Sequence, residues 1–226
     1  MSIIQSLSED IQREFQKAPF PVDEQVYRKA TLDPSQPILC AGSPNSRLCF
    51  FARDLGRDEV IAKQPLYGAA GRLVRREVYA AIFHKQAQDD NALSDVLDHV
   101  LLTNTVPYKP PDNKAYPAAV KKRIRPFLER LLLEYWHGDL IIPLGNEALQ
   151  WFKPYTDTST FQNFINNPTR YEQTIDITLC ATTADIDLHP RQISLAPLPH
   201  PSPLNQQYYA QFPQMLRNRL DQLKVF

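Results

Sequence analysis

Apolar residues fall on two kinds of spacing along this chain, and each predicts a different element. Ile4, Leu7, Ile11 and Phe15 recur at three- and four-residue steps, interrupted by Glu14 and Lys17. That is the stripe of an amphipathic helix packed on the outside of the molecule, ended by Pro19 and Pro21. Continuous apolar runs at 38–40, 48–52, 100–106, 140–144, 175–180 and 193–198 are too short for helices and read as buried strands. Helical spacing returns through Leu73, Val74, Val78, Ile82 and Phe83, then across 120–130, and again after Asn146 through Leu149, Trp151 and Phe152. A last helix is predicted from about Gln206, with Phe212, Met215, Leu216, Leu220 and Leu223 on its apolar face. Between 153 and 172 the pattern predicts only a short helix near 161–165. Strands alternating with helices place the chain in the α/β class, with a parallel sheet covered on both faces.

Composition narrows this picture. A length of 226 residues with 43% apolar content suits one domain with a sizeable core, and residues 1–35 read as an N-terminal helical extension of it. Six glycines against twenty prolines predict stiff connections. Lysine plus arginine balances aspartate plus glutamate at 25 each, so a polyanion would have to be met by a local patch. No run approaches bilayer-spanning length and no signal-like leader opens the sequence, so the expected location is cytoplasmic. Cys40, Cys49 and Cys180 have no C-x-x-C spacing, which argues against a disulfide framework and against a zinc or iron–sulfur site built by this chain alone. They read as small buried hydrophobes.

Candidate chemistry gathers where strands end. The run 48–52 delivers Arg53-Asp54-Leu55-Gly56, the run 100–106 carries Asn104, and 193–198 leads into His200, fenced by Pro199, Pro201 and Pro203. In α/β sheets the carboxyl ends of strands are where ligands bind. Each residue has a plainer account beside that one. Asp54 could pair with Arg53, Arg57 or Lys63, Asn104 could make a structural hydrogen bond, and His200 could bond a neighbouring carbonyl. Arg72, Arg75 and Arg76 fit solvated charges and phosphate contacts equally, and Arg217, Arg219 and Lys224 suit the end of the last helix dipole. Gly42-Ser43-Pro44-Asn45 is ordinary turn chemistry.

Taken in order, these segments resemble the uracil-DNA glycosylase superfamily, most closely its thermostable iron–sulfur branch, over roughly residues 38–205. The branch has Gly-Glu-Ala-Pro-Gly, an acidic pair and Gly-Arg-Pro-Phe-Val-Gly-x-Ala-Gly. The same register here reads Ala52-Arg53-Asp54-Leu55-Gly56, Asp58-Glu59 and Lys63-Gln64-Pro65-Leu66-Tyr67-Gly68-Ala69-Ala70-Gly71. Its Thr-Asn-x-Val-x-Cys-Arg-Pro-Pro-x-Asn-Arg is similar to the run from Thr103-Asn104 to Asn113-Lys114, and its Cys-Arg-Pro-Phe-Leu-Glu to Ile124-Arg125-Pro126-Phe127-Leu128-Glu129. Ile141-Ile142-Pro143-Leu144-Gly145 matches its strand ending in Leu-Gly. His200-Pro201-Ser202-Pro203-Leu204 resembles the histidine motif of the main uracil-DNA glycosylases.

The resemblance implies a three-layer α/β/α sandwich and a monomeric DNA glycosylase that removes uracil or a related deaminated base from single- or double-stranded DNA. It implies Asp54 and His200 as catalytic groups, Asn104 as reader of the base, and Leu66, Tyr67 and Arg53 around the base. DNA contacts would come from Ser202, Leu204, Lys109, Lys114, Lys121, Lys122 and Arg123. Two departures matter. Tyr108 and Ile124 stand where the branch has cluster cysteines, so no cofactor is expected, and Arg53 stands where it has a glutamate. A catalytically silent relative that binds damaged or single-stranded DNA is the competing expectation.

Overall fold

The strands form one six-stranded sheet whose inner strands at 48–52, 100–104 and 140–143 are buried at every position, because a helical layer covers either face. The computed structural model describes residues 2–183 and 188–226. In chain order the strands are β1 (Cys40–Gly42), β2 (Leu48–Ala52), β3 (Val100–Asn104), β4 (Leu140–Pro143), β5 (Ile175–Leu179) and β6 (Arg191–Leu195). Their spatial order is β1-β3-β2-β4-β6-β5. The four central strands β3, β2, β4 and β6 run parallel, and β1 and β5 close the edges antiparallel. β5 alternates buried and exposed positions, as an edge strand with one solvated face does.

Among the described residues the α-helices are α1 (Ile3–Lys17), α2 (Glu24–Lys29), α3 (Arg57–Ala62), α4 (Ala69–Phe83), α5 (Ala118–Arg130), α6 (Asn146–Gln150), α7 (Thr158–Asn166), α8 (Gln206–Tyr209) and α9 (Phe212–Leu223). Successive residues of β2 split between two cores: Cys49 and Phe51 join one, Leu48, Phe50 and Ala52 the other. The first core is closed by α1, α5 and α6, the second by α4 and α9. Three layers result, as the alternation of strands and helices implies. No helix among the described residues is long and apolar enough to cross a membrane.

α1 packs by the stripe that its spacing predicts: Leu7 and Ile11 are wholly buried, and Phe15 stacks on Tyr108 at 5.1 Å and meets Phe20 edge-on at 4.9 Å, while the rest of the helix is not buried. Other local expectations need correction. The first strand starts at Cys40, two residues later than its apolar run, and β3 is preceded by a 3₁₀ segment, Ala92–Asp98. The last helix is broken into α8 and α9 where Pro213 starts a new helical turn. Arg219 is 2% exposed and donates to the carbonyls of Glu172 and Gln173 and to Thr174 Oγ1, so it ties α9 to the approach to β5 and does not serve the helix dipole.

Tyr108 and Ile124, at the positions where the iron–sulfur branch carries cysteines, are fully buried in the core under α1. They supply a phenol, whose hydroxyl donates to Ser35 O at 2.8 Å, and a hydrocarbon. Neither offers a thiolate, and no group of three or more histidine, cysteine or acidic side chains among the described residues could hold a metal ion. The residues present do not fit a four-thiolate cluster.

Because Phe15 belongs to the core, Phe15→Ala is expected to destabilise the protein by about 3–5 kcal/mol. A drop below about 0.5 kcal/mol in the urea-unfolding free energy, the range of surface substitutions, would show that the α1 stripe is not packed on the core.

Candidate functional site

The chain leaves β2 to enter β3 on one side of the sheet and later returns to β4 on the other, so the crevice where ligands bind in open α/β sheets opens over the ends of β2 and β4. Parallel register sets Ala52 opposite Asn104, and Thr105 N–H donates to Ala52 O at 2.9 Å. The residues that follow Ala52 and those that end β3 therefore emerge side by side. On the other flank Leu144 bridges Leu198 in parallel, and Gly145 N–H donates to Leu198 O at 2.8 Å, which delivers His200 to the same end of the sheet.

A cleft of about 610 Å³ opens there. Asp54, Asn104, His200, Leu66, Arg53, Ser202 and Leu204 all line it, although they come from four separate stretches of chain. Its volume lies in the usual range for small-ligand sites.

Asp54 is 8% exposed. Its Oδ1 accepts the Thr105 hydroxyl at 2.9 Å and its Oδ2 accepts the Tyr116 N–H at 2.8 Å. Burial pushes its carboxyl above the ordinary aspartate range, and the two hydrogen bonds and the nearby Lys121 and Arg53 charges pull against that rise. It makes no ion pair among the described residues, so the local pairing with Arg53, Arg57 or Lys63 is not formed. An ionised carboxylate has about four acceptor positions. Two are filled, and the others remain for a water molecule or a ligand.

Asn104 is 3% exposed, and its Nδ2 donates to the Arg53 carbonyl. Its Oδ1 is buried with no partner. An orphaned buried carbonyl is costly, and in a cleft-lining residue it leaves an acceptor unused until a donor arrives.

His200 is pushed down to about 4 by burial and, secondarily, by the positive charge of Arg53. The imidazole is therefore neutral at pH 7 and carries one N–H donor. Its backbone is fixed from three directions. Pro199 and Pro201 restrict the chain, Asn205 Nδ2 donates to His200 O at 2.9 Å, and Gly145 makes room beneath it. Gly145 has φ +87°, and a Cβ there would lie 2.9 Å from the His200 Cβ. Glycine is the residue that suits both conditions.

Leu66 sits at φ 51°, in the left-handed region that a leucine rarely occupies. It is held there by α4. Arg75 Nε donates to Leu66 O at 2.9 Å and its Nη2 to Pro65 O at 3.1 Å, while Gly71 allows an approach so close that a Cβ would fall 2.0 Å from Leu66 O. Arg75 is 3% exposed, so it is neither a solvated charge nor a phosphate contact. Arg72 and Arg76 pair with Asp90. Of the two residues expected over the base, Leu66 lines the cleft. Tyr67 is 43% exposed, lies against the Arg75 guanidinium at 5.5 Å and faces a separate pocket beside Asp90 and Ser94.

The basic residues diverge. Lys109 is 2% exposed, with Nζ 2.9 Å from Asp23 Oδ2 and from Pro110 O, so its charge is spent holding α2 and is not offered to a phosphate. Arg123 pairs with Glu14 at 3.0 Å and donates to Ala18 O, tying α5 to α1, and it does not line the cleft. Lys121, bonded to Glu147, and the exposed Lys122 line another cavity with Arg125 and Trp151. Lys114 stands exposed near Asp112, outside the cleft. Ser202 Oγ accepts the Leu204 N–H at 3.2 Å, and Leu204, 93% exposed, projects from the rim.

Thr105, Tyr116, Asn205 and Gly145 were not singled out as site residues by the sequence, and Arg75 was weighed only as a solvated charge or a phosphate contact. Each acts through the backbone or through a partner distant in sequence. Only Gly145, ending an apolar strand, carried a local sign of its place.

The histidine supplies a pH signature. Its folded-state value of about 4 lies below the ordinary 6.5, so between those values the unfolded chain binds more protons and stability falls as pH drops from 6.5 toward 4. In His200→Gln this part of the acid destabilisation, up to about 3 kcal/mol, is expected to disappear. Unfolding free energies measured by urea at pH 7 and pH 4.5 check it, and equal losses in wild type and variant would contradict it.

A search of curated proteins gives no match. Residues 40–224 match the family model described as the uracil DNA glycosylase superfamily. Both ends of that match enclose the sheet and every residue of the cleft. The chain belongs to the uracil DNA glycosylase superfamily.

Proposed function

We propose that the protein is a monofunctional DNA glycosylase that hydrolyses the N-glycosidic bond of uracil or a related deaminated base in DNA. The observation that carries this reading is the convergence of a buried carboxylate, a neutral imidazole and an amide with an unused acceptor in one cleft. Those three groups meet the separate demands of the reaction.

Breaking the bond leaves the electron pair on the base nitrogen and makes the sugar carbon cation-like. Asp54 counters that cation and orients a water whose oxygen forms the new bond to the sugar carbon, and it takes up the proton the water releases. Its raised value favours proton uptake, and its hydrogen bonds to Thr105 and Tyr116 fix the direction of the carboxylate. His200, being neutral, donates its N–H to a base carbonyl oxygen on which negative charge grows. Such a donor gains strength as the bond breaks. Asn104 offers its Oδ1 to an imino N–H and the second N–H of its amide to a carbonyl, the pattern on the edge of uracil.

Leu66 covers one side of the base. A paired base must leave the stack to reach the cleft, and the exposed Leu204 at the rim is suited to fill the space it vacates. The alternative is a binding module without turnover. What favours that alternative is that both Asp54 oxygens already accept a hydrogen bond.

Incubation with a uracil-containing oligonucleotide followed by alkali distinguishes the two. Strand scission is expected, and retained binding with no release of uracil, hypoxanthine or xanthine would establish the binding module instead. Asp54→Ala is expected to lower the single-turnover rate about 10²–10⁴-fold and His200→Ala about 10²–10³-fold. Scission that persists at wild-type rate in both variants would remove these residues from the mechanism.

A further inference from the structure

We propose that Arg53 stabilises the negative charge of the departing base, an electrostatic role that rests on the glycosylase reading above and adds a catalytic group to it. Charge balance in the cleft motivates this. Its lining includes two carboxylates, Asp54 and Glu59, and a histidine that is neutral at working pH. Arg53 is the one cation among the described residues that line it. A base leaving as an anion moves into a space already bounded by negative charge, and neither Asn104 nor His200 brings a full positive charge to meet it.

The guanidinium is placed for that task and is not neutralised. Its Nη2 donates to the backbone carbonyl of Asn113 at 2.8 Å, which anchors the side chain to another residue of the cleft wall. Among the described residues it makes no ion pair with a carboxylate. A guanidinium has five N–H donors in a fixed fork, so the Asn113 bond leaves donors for a ligand. Its charge reaches both ends of the site, as the lowered His200 and the weaker downward pull on Asp54 indicate. The Arg53 carbonyl meanwhile accepts from Asn104 Nδ2, so the residue also steadies the group that reads the base.

The step balances simply. The bond between the base nitrogen and the sugar carbon breaks, both electrons stay with the base, and the resulting anion is spread over that nitrogen and the adjacent carbonyl oxygen. Arg53 pairs with this anion and transfers no proton. Water supplies the oxygen for the sugar, Asp54 takes the released proton, and the free base is later protonated by solvent.

A comparison of two leaving bases tests the role. Single-turnover rates and KM are measured on oligonucleotides carrying uracil or 5-fluorouracil, whose fluorine already stabilises the anion. Arg53→Met is expected to slow uracil release about 10²–10³-fold with little change in KM. The loss for 5-fluorouracil should be about tenfold smaller or less still, and Arg53→Lys should recover part of the rate. Equal losses for the two bases would overturn the proposal. So would a loss confined to KM that vanishes with salt, which marks a phosphate contact.

A second measurement needs no turnover. Titration calorimetry with free 5-nitrouracil, anionic at neutral pH, and with neutral uracil should show that the wild type favours the anion and that Arg53→Met does not. Absence of that preference in the wild type sinks the proposal by itself. A wild type that releases no deaminated base is instead a failure of the glycosylase reading. The two failures are thus distinguishable, and unchanged circular dichroism and melting in both variants exclude misfolding as the cause of any loss.

Discussion

The site depends on one constraint above all: β2 lies in parallel register between β3 and β4, with Ala52 opposite Asn104 and Phe51 opposite Pro143. Parallel strands send their carboxyl ends in one direction, so residues far apart in sequence emerge on one edge without any long-range side-chain contact. Asp54 follows Ala52, Asn104 ends β3, and His200 follows the bridge of Leu198 to Leu144. A slip of one residue in β2 would turn Cys49 and Phe51 out of their core as well as moving Asp54, so packing on both faces of the sheet protects the register. Precision at the cleft is in this sense a by-product of two apolar cores, most of whose residues lie away from it.

Beyond the strand ends, the loops are held by backbone fit more than by side-chain networks. Two glycines are decisive, since Gly71 admits the Leu66 carbonyl and Gly145 admits the His200 side chain. Arg75 then fixes Leu66 from inside α4, and Asn205 fixes the His200 carbonyl. Leu66 at φ 51° stores strain that a free loop would release. Groups held this way lose little freedom when a ligand arrives, which is the benefit of preorganisation.

What the sequence made legible, and what it hid, follows from the range of the interactions concerned. Strand runs such as 48–52 and 140–144 and the stripes of α4 and α9 are local patterns, and they could be read almost to the residue. The strand ends could be read too, which is why Asp54, Asn104 and His200 stood out. The stripe of α1 announced its buried face but not what covers it, since one partner of Phe15, Phe20, is near in sequence and the other, Tyr108, is ninety-odd residues away. Charge was hidden more deeply. Lys109, Arg75, Arg123 and Arg219 look alike in sequence to Lys114 or Arg57, yet each ends on a carbonyl or carboxylate supplied by the fold. Twenty-five cations with zero net charge say nothing about which are free.

The same consideration changes how the departures at the first motif are weighed. An arginine in place of an acid looks like damage if the residue is judged by the task of the group it replaced. Within the cleft it is one member of a set, and the neighbours determine its effect. Burial is the larger cause of the lowered His200 and Arg53 adds to it, while Arg53 and Lys121 pull Asp54 toward the ionised form against its burial. Arg53 thus acts on both in the direction that separates their duties, favouring a neutral donor at one position and a charged carboxylate at the other. Opposite demands on two titratable groups are met by one fixed positive charge, since a cation disfavours protonation of an imidazole for the same electrostatic reason that it favours ionisation of a carboxyl.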